Sequence, residues 1–190
     1  IDLCASRRIK PSLVGFLPYA VTEWTERLAV ALAEYRARPA DAALEAKCLV
    51  YAGILAHYAS DLAQPLHVTA DFDGRRPNGR GQVRTGIHAR VDALAGRLDR
   101  PEDGKAPGGP PLAFAEVFPA VLGELDRSRR LVARVYELED RLPEPAAKGS
   151  VDPAVREFAA ERYRAAALFT AALYRTAWEK SERLKLPDWH

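Results

Sequence analysis

Between residues 44 and 62, Leu44, Cys48, Tyr51, Leu55, Tyr58 and Leu62 recur at alternating steps of four and three. That period belongs to an α-helix with one apolar face, and a strand, with its period of two, does not satisfy it. A second stripe, Val50, Ile54, His57 and Asp61, runs beside the first and predicts a helix buried over most of its circumference. Asp41 can cap the amino end. Pro65 stops the helix, because it lacks an N–H and disfavours helical Gln64. An ionised Asp61 on a buried face needs compensation, from a metal ion or from an arginine.

The rest of the chain follows the same helical period. A first helix is predicted from Thr22, as cap, to Arg36, with Trp24, Leu28, Ala31, Leu32 and Tyr35 as its apolar face. A short helix from Ile87 to Gly96 would be capped by Thr85. A long one would start at Pro119 and reach Arg141, burying Val121, Leu122, Leu125, Leu131, Val132, Val135 and Leu138. The last, with Asp152 as cap and Pro153 at its first position, would run to Leu184, its apolar face including Phe158, Tyr163, Ala166, Phe169, Leu173 and Trp178. Residues 68–84 and 99–111, rich in glycine and proline, read as loops. With no alternating strand pattern and no internal repeat, the expected fold is all-α, a multi-helix bundle in one domain spanning 1–190.

A formal charge of +2 gives no argument for nucleic acid or an anionic membrane as a partner. Cys4 and Cys48, the only two cysteines, are too far apart in sequence for a CxxC-type metal motif. No apolar run reaches the roughly 18 residues of a membrane span, and no signal peptide is visible.

Three of the four histidines fall between His57 and Asp92. His57 and Asp61 stand four apart, His67 follows Pro65, and His88 and Asp92 again stand four apart. Residues four apart share a helix face, about 6 Å apart along the axis. Singly, each has a bland reading: a hydrogen-bonded core histidine, a solvated aspartate, a helix terminator. Arg90 lies two residues from both His88 and Asp92, so it does not face either on a helix. Together, three histidines and two aspartates at HxxxDxxxxxH and HxxxD spacing point to a metal cluster, and imidazole and carboxylate are ordinary zinc ligands.

The segment HYASDLAQPLH, followed after a glycine-rich loop by GIHARVD, resembles the zinc-dependent phospholipase C and single-strand-specific nuclease superfamily. GFLPYAVTEWTERL resembles the segment that precedes the motif helix in bacterial members, and the closing RTAWEKS is similar to theirs. The resemblance implies an all-α fold holding up to three zinc ions that cleaves phosphate esters. It assigns His67, His88 and Asp92 as the complete protein set of one zinc. His57 and Asp61 would belong to a second, with Asp61 bridging to a third and standing as the catalytic position within this chain. The family's remaining ligands and its proposed general base come from upstream segments, and Ile1-Asp2 resembles the tail of one of them. On that reading the 190 residues are the carboxy-terminal portion of a longer enzyme.

The nuclease branch carries GGN in the loop and NLHxxWD around the last pair; here the loop reads DGRRPNGRGQ and the last pair sits in GIHARVD. The wording is closer to bacterial phospholipase C-like proteins. The expected activity is therefore hydrolysis of a phosphodiester, with a phosphate ester as partner, Zn2+ as cofactor and no stable nucleic-acid partner. A single-strand nuclease or nucleotidase is the alternative within enzymes, and a non-catalytic metal-binding bundle the alternative outside them. Export, to the periplasm or beyond, is implied by the resemblance alone. Arg75, Arg76, Arg80 and Arg84 are candidates to meet an anionic group, and Tyr58, Ser60 and Gln64 to support the ligands.

Overall fold

The computed structural model describes residues 15–75, 83–98 and 110–187. Among these it is helical throughout, without a strand. Six α-helices follow in order: α1 Leu17–Ala37, α2 Ala42–Ala63, α3 Ile87–Asp92, α4 Val117–Arg130, α5 Val132–Glu137 and α6 Pro153–Ser181. Short 3-10 turns follow α2 at Pro65–Val68, α3 at Ala93–Arg97 and α5 at Glu139–Arg141. No helix among the described residues is long and apolar enough to cross a membrane. Most of the expected 99–111 loop, Arg76 and Arg80, and Cys4 lie outside the described residues.

α1 begins five residues before its expected start. Pro18, near the helix start, supplies a helical φ. Thr22, expected as the cap, instead lies inside the helix with its hydroxyl donating to the Pro18 carbonyl at 2.9 Å. α2 ends where Pro65 requires, and its Asp41 cap accepts from Ala43 N at 3.0 Å. The expected second stripe of α2 is not buried. Val50 is 58% exposed and the His57 ring stands open to solvent, so one face of α2 packs and the other does not.

The predicted fourth helix is two helices that meet at Leu131. The break redirects the chain from one apolar core to another. The first core gathers Val21 and Leu28 of α1, Leu55 and Leu62 of α2, Val121 of α4, and Phe169 and Leu173 of α6. The second gathers Leu66 from the turn after α2, Ile87 of α3, Val135 of α5, and Val155 and Ala159 of α6. Leu122, expected inside, is 43% exposed.

α6 spans both cores. Asp152 caps it, accepting from Ala154 N and Val155 N at 2.9 and 3.3 Å, with Pro153 at the first position. Its far end is tied to α1, where Arg36 stacks over Trp178 at 3.6 Å and donates to Ser181. Trp178 is therefore 41% exposed rather than a core residue. Two turns before that end, Tyr174 donates to the Ala52 carbonyl of α2 at 2.7 Å. The seam between the two cores, where α2 gives way to its 3-10 turn and α6 passes from one core to the other, holds the candidate site.

Candidate metal centre

Each of the five expected ligands sits where local chain physics puts it. His57 and Asp61 share the solvent-facing side of α2, with His57 Nε2 3.4 Å from Asp61 Oδ2. Pro65 then forces a turn, and Gln64 caps it by accepting from Leu66 N with its side-chain oxygen. That turn swings His67 back over the carboxyl end of α2, so that its Nδ1 comes to 3.1 Å from Asp61 Oδ1. Leu66 and Pro65, both fully buried, hold the turn in place.

α3 supplies the other pair. Its amino end is capped from afar: Asp73 Oδ1 accepts from His88 N at 3.2 Å. Gly86 takes a left-handed φ of 76°, which favours glycine. Thr85, expected as the cap, instead donates from its backbone N to the Asp73 carbonyl at 2.7 Å. α3 is also shorter than expected, ending at Asp92 and passing into a 3-10 turn. The loop that carries Asp73 is pinned by Tyr136 of α5, whose hydroxyl donates to the Asp71 carbonyl and accepts from Gly74 N. Arg75, a candidate for anions, lies over the Tyr136 ring at 4.6 Å instead.

The two halves meet. The rings of His67 and His88 stack with centroids 4.9 Å apart, and Phe72 lies edge-on to His88. His67 Nε2 is 3.5 Å from Asp92 Oδ1, and His88 Nδ1 is 3.5 Å from Asp92 Oδ2. Donor atoms of His67, His88 and Asp92 all lie within 4.8 Å of one another. The 3.5 Å separations are long for hydrogen bonds and close to the roughly 3.3–3.4 Å edge of a tetrahedron with zinc-length bonds of about 2.05 Å. His67 Nε2 is buried and has no hydrogen-bond partner, as suits an atom placed to coordinate an ion. The three residues fit a metal. His57 and Asp61 contribute two further donors and, among the described residues, complete no second group of three.

Second contacts orient the ligands. Gln64 Nε2 donates to Asp92 Oδ1 at 2.9 Å, and Asp61 at His67 Nδ1 leaves Nε2 free to face the cluster. Arg90, as its position implies, turns away and donates to the Glu139 and Leu142 carbonyls. Ser60 lines the adjoining cleft, and Tyr58 packs against the first core.

The charges answer to these contacts. Asp92 at Nε2 raises the pKa of His67 above its ordinary 6.5; burial pulls it back, and Asp61 adds to the rise. Burial works to raise the pKa of Asp92, but the neighbouring His67, the Gln64 amide that donates to it and the charge of the nearby imidazoles outweigh burial and hold it below 3.8. Burial, with a contribution from the Asp92 charge, pushes the Tyr163 phenol up.

No family model, no curated protein and no solved structure matches the chain.

A cleft of about 370 Å³ opens beside the cluster. His57, Asp61, His67 and Asp92 line one side, and Phe158, Arg162, Tyr163 and Ala166 of α6 line another. Tyr163, expected on the apolar core face, is 45% exposed and borders this cleft. Arg162 and Asp73 carry structural or chemical weight here that spacing did not single out. For Arg162 a signal exists, because it occupies a position of the buried register of α6. For Asp73 none does, since its partner is 15 residues away.

Proposed function

We propose that the chain is a zinc-dependent hydrolase of phosphate esters, of phospholipase C type, acting in the cleft beside His67, His88 and Asp92. The observation that carries this is the convergence of two histidines and one carboxylate, from the 3-10 turn after α2 and from the short α3, beside a cleft of ligand size. Three protein ligands are the number that leaves a zinc position open for chemistry. When bound, zinc supplies positive charge for phosphate oxygens and an acidified water.

The chain's own residues do the rest. His67, His88 and Asp92 hold the ion. Asp61 Oδ1, 3.1 Å from His67 Nδ1, favours the tautomer that leaves Nε2 for the ion, and Gln64 fixes the rotation of Asp92. His57 and Asp61, which line the same cleft, would take a further ion or accept a proton from the attacking water.

The test is hydrolysis of bis-p-nitrophenyl phosphate, a phospholipid and single-stranded DNA by zinc-replete protein. Turnover of the first two supports the proposal, and release of nucleotides alone moves the chain to the nuclease branch. A second reading, a non-catalytic metal-binding bundle, is favoured by the incomplete His57–Asp61 pair. It stands if zinc binds and none of the three esters is cleaved.

A further inference from the structure

The buried register of α6 runs Val155, Ala159, Arg162, Ala166, Phe169 and Leu173, at alternating steps of four and three. Arg162 alone among these carries a charge. Its side chain is 16% exposed, and Nη2 donates to Glu161 Oε1 at 2.9 Å, a carboxylate that is itself largely in solvent. Its Nε is buried and has no acceptor. A buried guanidinium N–H left without an acceptor is costly, and what separates Arg162 from Arg90, whose Nε is also buried without a hydrogen bond, is that Arg162 lines an open cleft.

Its surroundings say what kind. Ala159 and Ala166, one turn to either side, are small. Arg162 lines the same cleft as His67, Asp92 and Asp61. Most of the remaining lining is apolar, with Ala63, Val91, Leu94 and Phe158 contributing. A planar guanidinium suits a tetrahedral oxyanion better than a lone point charge does. The apolar lining suits a compact uncharged group joined to that anion.

We propose that Arg162 is the anion-binding residue of this cleft, holding an oxygen of a phosphorus ester whose apolar substituent lies against Phe158, Val91 and Leu94. This deepens the phosphoesterase reading and rests on it for the identity of the anion. Arg162 is outside the metal ligand set, so its role separates from metal binding.

The experiment is calorimetric titration of the chain with phenylphosphonate and with inorganic phosphate, zinc-loaded and metal-free, with zinc content measured on each sample. The variants are Arg162→Leu and Arg162→Lys, both checked for helicity. Zinc content should be unchanged in both. Phenylphosphonate affinity should fall at least tenfold in Arg162→Leu and by less in Arg162→Lys. Phenylphosphonate should also bind the parent at least threefold more tightly than phosphate. Equal affinity in parent and Arg162→Leu, or no binding by the zinc-loaded parent at millimolar concentration, overturns the anion site. Equal affinity for the two probes overturns the apolar part. If Arg162→Lys alone folds, the same comparison is made with it, and a loss under twofold counts against the site. Arg162-dependent binding by a chain that cleaves no ester keeps the site and ends the phosphoesterase reading. Should no zinc be taken up, a tenfold dependence on Arg162 in the metal-free chain has the same meaning.

Discussion

His67 Nε2 lies 3.5 Å from Asp92 Oδ1, buried and without a hydrogen bond, while its Nδ1 lies 3.1 Å from Asp61. One imidazole thus stands between two carboxylates that come from different parts of the chain. One of them is a candidate ligand beside it; the other sets its tautomer.

Gln64 links the two halves of the site. It accepts from Leu66 N to shape the turn that carries His67, and donates to Asp92 at 2.9 Å. Gln64→Ala is expected to lower zinc affinity by about 10- to 100-fold, the usual effect of removing an outer partner of a ligand. Competition against a chromophoric chelator measures it. An unchanged affinity would show that Asp92 needs no such support.

Asp73→Ala removes the cap at His88 N. A lost cap costs about 0.5–2 kcal/mol, here at the helix that presents His88 and Asp92. Zinc affinity should therefore fall together with stability. Gly74→Ala should act on the same loop, because a Cβ there would lie 2.9 Å from the Val83 carbonyl oxygen at a φ of 151°. Urea unfolding with and without zinc measures both variants, and a stability loss that spares zinc binding would separate the loop from the site.

Arg90 gives the contrast. Its side chain is 16% exposed and reaches the Glu139 and Leu142 carbonyls rather than Asp92. Arg90→Ala should destabilise the fold by about 1–3 kcal/mol, the cost of leaving buried polar groups unpaired. Zinc stoichiometry should stay unchanged. Loss of zinc without loss of stability would place Arg90 in the site after all.

The pH dependence of the metal-free chain has a defined sign. His67 has a raised folded pKa, so its contribution to stability is fully present below its unfolded value near 6.5 and is lost as pH rises through the folded value. Asp92, lowered in the fold, contributes above its unfolded value near 3.8 and loses that contribution as pH falls through the folded value. Zinc reverses the slope around neutrality, because it competes with protons for His67. Melting temperature in chelator should fall from about pH 6 to pH 8, while the zinc-induced rise in melting temperature should grow over the same range. A metal-free chain that becomes more stable over that range contradicts the His67 geometry.

Helix content and the placement of α2 and α6 were legible because their signals are local: an Asp41 cap, a Pro65 stop, an Asp152–Pro153 start. The HxxxD spacings likewise forecast which side chains share a helix face. What was not legible depends on partners distant in sequence. Thr85 looked like the cap of α3 until Asp73, 15 residues before His88, took that place. The break at Leu131 answers to the presence of two cores, which no single helical stripe reveals. The second stripe on α2 had the right period and the wrong inference, since Val50 and His57 face solvent. Arg162 stood inside an apolar register, where a charge is itself the signal.

The measurement that bears most directly on the metal centre is zinc per chain by elemental analysis, on the parent and on His67→Ala and His88→Ala. About one zinc in the parent, lost in both variants, is the result expected of a three-ligand site. A parent that binds no zinc, or variants that keep it, would contradict the site formed by His67, His88 and Asp92.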